Sequence, residues 1–263
     1  SPCHPVTLSP CHPVTLSPKM NLTIDIGNSR TKIGLFEAGQ LKQMWSWESW
    51  RAEELIALAT NHRVKNIILS SVAGVLPGEV EEAFSKDYFY LSLNNSTPLP
   101  FNNHYRTPET LGKDRLAAVA GALSLFPGQH CLVIDAGTCI TFELLTGNGD
   151  YLGGNISPGV NMRLKAMHAF TARLPELAPG NTENWLGYST ESAMQNGAQW
   201  GTVFEIEGFI AQCKTLYYPI HVILTGGDAD FLAKMLKSQI FVRSELVLLG
   251  LNKILEYNVN QVA

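Results

Sequence analysis

The sequence lacks the features that would direct the protein to nucleic acid or to a membrane. Its 263 residues carry 19 Lys and Arg against 23 Asp and Glu, and no basic run is interleaved with aromatic residues. A net charge of −4 without such a run argues against nucleic acid and anionic lipid as partners. No uninterrupted apolar stretch approaches the roughly 18 residues that cross a bilayer. We therefore expect neither kind of partner.

Cysteine and histidine are scarce and have no metal-ligand spacing. Cys3 and Cys11 fall in an N-terminal repeat, and the other three cysteines, Cys131, Cys139 and Cys213, form no C-x-x-C pair. An odd count without that spacing favours reduced thiols and a cytoplasmic protein. The histidines form no H-x-x-x-H pattern, so no transition-metal site is predicted.

Two common nucleotide-binding loops are also missing. Neither G-x-x-x-x-G-K-[ST] nor G-x-G-x-x-G at the start of a helix occurs. Their absence disfavours P-loop proteins and dinucleotide-binding proteins. A phosphate site in this chain must therefore be built from other turns.

The first residues contain an exact tandem repeat. SPCHPVTL occurs at residues 1–8 and again at residues 9–16. An unchanged copy of an octapeptide is typical of a cloning-derived extension, so residues 1–19 are set aside and Met20 is the predicted start. The rest of the chain is long enough for two domains with cores of their own.

Residues 22–37, LTIDIGNSRTKIGLFE, set a carboxylate in a glycine turn between two apolar runs. The alternation of apolar and polar residues on both sides predicts a β-hairpin. Gly27 permits unusual backbone angles, and the turn offers N–H groups together with Ser29, Arg30 and Lys32 to a phosphate. Taken alone, however, the simpler interpretation is an ordinary hairpin in which Asp25 is a turn residue.

The same pattern returns in residues 131–145, CLVIDAGTCITFELL. Two such turns at the same spacing are much stronger evidence than one. A third glycine turn, TGGD at residues 225–228, closes another apolar run. The positions that recur in the first two stretches are Asp25, Gly27 and Thr31, matched by Asp135, Gly137 and Thr141.

Residues 105–125 carry the main candidates for acceptor chemistry. Thr107 and Pro108 can open a helix, although Gly112 can delay its start by a turn. The residues that follow leave almost no polar face, which indicates a buried helix. At its entrance, the helix dipole and Arg115 would keep Asp114 ionised at neutral pH. From the residues alone, an Asp–Arg pair that anchors the helix is the favoured interpretation.

The remaining segments give weaker predictions. Residues 94–103 are predicted to be a connection, and residues 151–159, YLGGNISPG, a turn cluster before a helix over 160–170. Thr190 is the predicted N-cap of a helix over 191–213. A last amphipathic helix is predicted over 245–257.

Taken together, the two Asp-Gly hairpins and the later Gly-Gly turn resemble the two phosphate segments and the adenosine segment of the actin, Hsp70 and sugar-kinase superfamily. The segment LGKDR, residues 111–115, narrows the resemblance to the type III pantothenate kinase family, and the match covers essentially all of the chain after Met20. The resemblance implies an α/β fold of two ribonuclease-H-like, actin-like ATPase domains, each a mixed sheet flanked by helices, with the active site in the interdomain cleft. The domains would span residues 20–128 and 129–263.

The resemblance also implies an activity, which is ATP-dependent phosphorylation of pantothenate to 4′-phosphopantothenate, the first step of coenzyme A biosynthesis. Asp114 would accept the hydroxyl proton, and Asp135 would bind K⁺ or NH₄⁺ next to ATP and Mg²⁺. A cytoplasmic homodimer is expected. The expected substrate contacts are Tyr105, Gly112, Lys113, Asp114, Arg115 and Thr190, the last apparently from the partner subunit. The expected ATP contacts are Asp25, Ile26, Gly27, Asn28, Ser29, Arg30, Thr31, Lys32 and Thr138.

Two other functions remain open from the sequence. One is a non-catalytic regulatory or accessory protein of the same fold, against which the intact Asp25, Asp114, Arg115 and Asp135 argue. The other is a different small-molecule kinase of the superfamily, which the LGKDR segment disfavours.

Overall fold

The computed structural model describes residues 20–27, 30–71, 76–181 and 184–262. The N-terminal repeat and the predicted phosphate contacts Asn28 and Ser29 lie outside these ranges. The strands are β1 (Met20–Ile26), β2 (Thr31–Glu37), β3 (Gln40–Trp47), β4 (Val64–Ser71), β5 (Phe89–Ser92), β6 (Asn102–Asn103), β7 (His130–Ala136), β8 (Cys139–Leu145), β9 (Asp150–Pro158), β10 (Ile220–Thr225) and β11 (Phe241–Val242). The helices are α1 (Ala52–Asn61), α2 (Gly78–Asp87), α3 (Lys113–Leu125), α4 (Val160–Ala169), α5 (Thr190–Leu216), α6 (Ala229–Ala233) and α7 (Leu246–Val262).

The strands form two mixed sheets with the same internal order. The first sheet runs β3-β2-β1-β4-β5, and the second runs β9-β8-β7-β10-β11 with the short β6 added beyond β9. In the first sheet β3-β2 and β2-β1 are antiparallel, and β1-β4 and β4-β5 are parallel. The corresponding pairs of the second sheet have the same directions. This duplication confirms the predicted α/β fold class, and it makes β1 and β7 equivalent central strands.

Helices cover both faces of each sheet. Helices α1 and α2 pack on one face of the first sheet, while α5 and α6 pack on one face of the second. Between the sheets lie α3 and α7, which pack against each other in the largest apolar cluster. Apolar residues cover nearly every side of α3, as predicted, because it is enclosed by α7 and by strands.

The two central helices are exchanged between the halves of the chain. Helix α3 follows the first sheet in sequence but packs mainly on β7 and β8, whereas α7 follows the second sheet and packs on β1 and β4. A chain of buried amides fixes the latter contact, because Asn21 of β1 donates to Asn252 of α7 at 2.8 Å and accepts from Asn66 of β4 at 2.7 Å. The domain boundary at residue 128 stays a prediction, and three segments, β6, α3 and α7, pack on the sheet of the other half of the chain.

One predicted turn cluster is wrong. Residues 151–159 belong mostly to β9, which pairs with β8 between Tyr151 and Pro158. Glycine and proline suggested a loop, but Gly154 is required by a close approach of strands: a Cβ there would lie 1.5 Å from the carbonyl oxygen of Phe142. Gly153 has φ +109°, a conformation that favours glycine, next to a register shift in β8.

The N-cap of α5 also differs from the prediction. Ser189, and not Thr190, occupies the cap position, and its hydroxyl accepts from the backbone N–H of Ser192 at 3.2 Å. Within the described residues no helix has the length and apolar character needed to cross a bilayer. The three cysteines of the described chain are free thiols.

Candidate active site

Two carboxylates occupy equivalent places in the two sheets. Asp25 lies near the end of β1, between Lys32 of β2 and Ser70 of β4 in the strand register. Asp135 lies near the end of β7, between Thr141 of β8 and Thr225 of β10. The parallel strands of each sheet end here, which is where ligands commonly bind in α/β proteins.

The two hairpin turns differ in length, so one sequence equivalence is wrong. Thr31 pairs with Ile26 in the first hairpin, whereas Thr141 pairs with Asp135 in the second. The residue that corresponds to Thr141 in the strand register is therefore Lys32. Sequence spacing matched Thr141 with Thr31 because the first hairpin turn contains one more residue than the second.

The structure brings Asp25, Asp114 and Asp135 into one electrostatic neighbourhood. Burial, followed by the negative charge of Asp114, raises the pKa of Asp25 to about 6. Burial also raises the pKa of Asp135 to about 6; Lys32 opposes that rise, and Asp114 and Glu143 add to it. Two sheets and the start of α3 thus direct acidic groups at the same region.

The cations near these carboxylates are partly committed to other partners. Lys32 donates to the backbone carbonyl of Ser244 at 3.4 Å, and Lys113 donates to that of Ser71 at 3.4 Å. Arg30 forms an exposed ion pair with Glu48 at 2.9 Å. Such exposed pairs are weak, so a phosphate could replace Glu48 at little cost.

Several predicted ATP contacts can offer only backbone groups. Ile26 and Thr31 have buried side chains that belong to the core of the first sheet. The backbone N–H of Gly27 is bonded to the carbonyl of Arg30 at 3.0 Å, which closes the turn. The phosphate-binding capacity of this turn therefore depends on its remaining N–H groups and on its charged side chains.

The third glycine turn lies directly against the second hairpin. Gly226 has φ +98°, and a Cβ there would lie 2.4 Å from the carbonyl oxygen of Ala136. The backbone N–H of Asp228 donates to that same oxygen at 3.0 Å. On the other side, the N–H of Gly159 donates to the carbonyl of Thr138 at 3.1 Å, and Thr138 is exposed. The second turn is thus held between two glycine segments.

Helix α3 begins after the delay that Gly112 suggested, with Gly112 at its N-cap position, whereas Thr107 and Pro108 open a separate 3₁₀ turn over Pro108–Thr110. Asp114 accepts a hydrogen bond from the backbone N–H of Arg115 at 2.9 Å. A Cβ on Gly112 would lie 2.5 Å from the Oδ1 atom of Asp114. Glycine at 112 therefore leaves room for the carboxylate to stand at the helix entrance.

The predicted ion pair between Asp114 and Arg115 does not form. The Arg115 guanidinium instead binds Glu143 of β8 through two hydrogen bonds, Nε to Oε1 at 2.5 Å and Nη2 to Oε2 at 2.8 Å. Burial by itself lowers the pKa of Arg115, but the hydrogen bonds and charge of Glu143 more than reverse this. Asp114 consequently keeps a carboxylate that is not tied to the arginine side chain.

Aromatic rings complete the surroundings of Arg115. Its guanidinium carbon lies 5.2 Å from the ring centre of Tyr105, the predicted substrate tyrosine. That ring is parallel to the ring of Tyr151, with centroids 6.3 Å apart and an interplanar angle of 5°. The Tyr151 hydroxyl donates to Glu143 at 2.5 Å and accepts from Arg115 at 3.2 Å. Two predicted contacts, Tyr105 and Arg115, are therefore neighbours.

Sequence reasoning missed Glu143 and Tyr151. A glutamate between apolar residues of a central strand was a usable signal, because a fully buried charge requires a partner. Tyr151 stood in the segment that was predicted to be a turn. Thr190, by contrast, was predicted as a substrate contact but is exposed at the start of α5. Within the described residues, no hydrogen bond joins Thr190 to the acceptor segment.

Comparisons with known proteins show the family to which the chain belongs. A family model described as type III pantothenate kinase matches residues 21–212. A type III pantothenate kinase of Christiangramia forsetii is 42% identical over 244 residues, covering 92% of this chain and all of the relative. Another from Bacteroides fragilis is 44% identical over 239 residues, covering 91% of this chain and 98% of the relative.

A solved structure supports the fold alone. A conserved Campylobacter jejuni protein, described as a Baf family transcriptional activator, has a TM-score of 0.59 at 22% identity and covers 91% of this chain and 99% of its own. The duplicated mixed sheets, each with a carboxylate near the end of its central strand, define the actin-like fold class. Within that class, the chain belongs to the type III pantothenate kinase family.

Proposed function

We propose that the protein transfers the γ-phosphoryl group of ATP to the primary hydroxyl of pantothenate, giving 4′-phosphopantothenate for coenzyme A synthesis. Family membership supports this reaction. The single structural observation that carries the assignment to these residues is the convergence of Asp25, Asp114 and Asp135 on one region. Phosphoryl transfer requires chiefly positioning and charge stabilisation, and this convergence offers both.

Asp114 is the proposed catalytic base. It lies at the start of α3, where the helix dipole favours a negative charge, and its carboxylate is not paired with the Arg115 side chain. A hydroxyl hydrogen-bonded to this carboxylate would be oriented towards the γ-phosphorus. Asp114 would then take up the hydroxyl proton as the new P–O bond forms.

The residues present fit a divalent cation that arrives with ATP. In the described part of the chain, no group of three or more His, Cys, Asp or Glu side chains could hold a metal by itself. Mg²⁺ commonly binds substrate phosphates, water and one or two carboxylates, and Asp25 is the carboxylate that would hold it. A bound Mg²⁺ would supply positive charge that offsets the negative charge of the phosphates.

A monovalent cation at Asp135 is a further part of the proposal. The buried carboxylate of Asp135 lies near two further carboxylates, Asp114 and Glu143, with Lys32 as the opposing positive charge. A K⁺ or NH₄⁺ ion would compensate this excess charge. The rate should then depend on KCl and not on NaCl, and Asp135→Asn should remove the difference between the two salts.

Pantothenate binding is assigned to the region around Arg115. The guanidinium edge with Nε and Nη2 is bound by Glu143, and the Tyr105 side chain also hydrogen-bonds the guanidinium, whereas Nη1 is bonded by neither Glu143 nor Tyr151. That nitrogen suits the carboxylate of pantothenate, because hydrogen bonds between charged partners are the strongest available. Gly112, Lys113 and Tyr105 would line the same pocket.

A homodimer would bring Thr190 to the partner's site. Around the start and outer face of α5, Trp185, Tyr188 and Phe204 are 62%, 84% and 57% exposed. Exposed aromatic clusters of this kind mark interaction surfaces. Light scattering after size exclusion would test the dimer, and Thr190→Ala in a dimer should raise the KM for pantothenate.

A coupled assay tests the proposed function. The protein is incubated with ATP, Mg²⁺, K⁺ and either pantothenate or candidate sugars, and ADP release is followed. Turnover with pantothenate alone supports the proposal. Turnover with a sugar would favour another kinase of the superfamily, and no turnover with any acceptor would favour a non-catalytic protein.

A further inference from the structure

We propose that Glu143 and Tyr151 are positioning residues for the acceptor, because they set the orientation in which Arg115 meets the substrate carboxylate. This inference rests on the proposed function. It assigns an acceptor-positioning role to two residues of the second sheet, which lie outside the acceptor segment of residues 105–125. Neither is argued to touch the substrate; both act through Arg115.

The geometry leaves Arg115 only one orientation. Glu143 is fully buried and Arg115 is 6% exposed, and two parallel hydrogen bonds of 2.5 and 2.8 Å join them. A bidentate pair fixes the plane of the guanidinium as well as its distance. The Nη1 edge is therefore presented in a direction set by a strand of the second sheet.

Tyr151 restrains the same group from the side. Its hydroxyl donates to Glu143 and accepts from Nη2 of Arg115, so the three polar groups form a closed network. Its ring also lies parallel to that of Tyr105, over which the guanidinium is placed. One residue thus positions two of the side chains that were predicted to contact pantothenate, Tyr105 and Arg115.

A purely structural ion pair would have a different consequence. Buried pairs often add little to stability compared with apolar residues of similar size. Here the pair engages Nε and Nη2 of the arginine and leaves Nη1 outside the pair. This arrangement gives selectivity for an anionic acceptor, and that selectivity can be measured separately from folding.

The test compares pantothenate with pantothenol, in which an alcohol replaces the carboxylate. Steady-state constants for both acceptors and for ATP are measured on the full chain and on the variants Glu143→Gln, Tyr151→Phe and Tyr90→Phe. In Glu143→Gln, one acceptor oxygen becomes an N–H donor that opposes the arginine. We expect the KM for pantothenate to rise about tenfold, with the KM for ATP within about twofold.

The acceptor preference is the deciding measurement. The ratio of kcat/KM for pantothenate to that for pantothenol should fall about tenfold in Glu143→Gln and about threefold in Tyr151→Phe, which keeps the carboxylate. Tyr90→Phe is the matched control, because Tyr90 packs beside Phe84 in the apolar cluster of α1 and α2, and not in the cluster of α3 and α7. Its ratio should not change.

The outcomes that overturn the inference are distinct. If the ratio of the two kcat/KM values is unchanged in both variants, Glu143 has only a structural role. If the KM for pantothenate is lower in Glu143→Gln, Glu143 only weakens the charge of Arg115. If Glu143→Gln does not fold, Tyr151→Phe alone decides. A wild-type chain inactive on pantothenate would overturn the proposed function, and this inference with it, whereas an active wild type with unchanged variant ratios overturns the inference alone.

Discussion

Gly250 of α7 lies directly against the backbone of Ala117 in α3. A Cβ placed on Gly250 would be 1.7 Å from the Ala117 carbonyl oxygen. One turn further along α3, a Cβ on Gly121 would lie 2.4 Å from the carbonyl oxygen of Leu246. The helices that join the two sheets therefore cross at two glycines with their backbones in contact.

The first prediction concerns this crossing. Gly250→Ala should destabilise the protein by more than about 2 kcal/mol, because overpacking of a backbone contact outweighs the gain of about 1 kcal/mol in helix propensity. Gly208→Ala is the matched control, since Gly208 lies in α5 with open space around it. Urea denaturation of both variants measures the difference. Equal stabilisation by the two alanines would refute the close contact.

The elements that the sequence predicted are those with local signals. Alternating apolar residues around Asp25 and Asp135 predicted both hairpins, and a run of small apolar residues after Arg115 predicted a buried helix. All three exist because their patterns are set within a few residues along the chain.

The features that the sequence did not predict depend on distant parts of the chain. No local pattern indicates that Arg115 binds Glu143, or that α3 packs on the second sheet while α7 packs on the first. The segment containing Gly154 looked like a turn, because its glycine serves a close strand contact and not a bend. The roles of the predicted site residues remain predictions that the following experiments test.

The second prediction concerns the third glycine turn. Gly226→Ala should raise the KM for ATP at least several-fold and destabilise the protein by about 1–3 kcal/mol, because an alanine at φ +98° is strained and collides with Ala136. Gly227→Ala is the control, since a Cβ at Gly227 meets nothing within 4 Å. If both alanines have the same effect on the KM for ATP, the contact with Ala136 does not shape the nucleotide site.

The third prediction concerns stability against pH. The folded-state pKa of Asp25 is raised from 3.8 to about 6, so the folded state binds more protons than the unfolded state between these values. This contribution to stability is fully present below about pH 4 and is lost as the pH rises through 6. Asp25→Asn should therefore stabilise the ligand-free protein at pH 7.5, by up to about 3 kcal/mol for a shift of this size.

The same variant should lose its advantage at pH 4, where the wild-type carboxyl is protonated in the folded state. Chemical denaturation at both pH values measures the change, and Asp135→Asn should behave alike because its pKa is raised to the same extent. Asp87→Asn, at the exposed end of α2, is the control and should show no gain. Stabilisation that is equal at pH 4 and pH 7.5 would contradict a burial-raised pKa.

The last prediction separates Asp114 from the two hairpin carboxylates. Asp114→Asn retains a side chain that can accept from the Arg115 N–H, so the fold and ATP binding should persist. The rate should fall by at least about a thousandfold, which lies in the upper part of the range for loss of a general base. Calorimetric titration with ATP and Mg²⁺ measures binding, and the coupled assay measures kcat. Asp25→Asn should instead weaken ATP binding itself, because its proposed partner is the metal that accompanies the phosphates. If Asp114→Asn lost ATP affinity and kcat in parallel, the carboxylate would belong to the nucleotide site, and the proton of the acceptor hydroxyl would need another base.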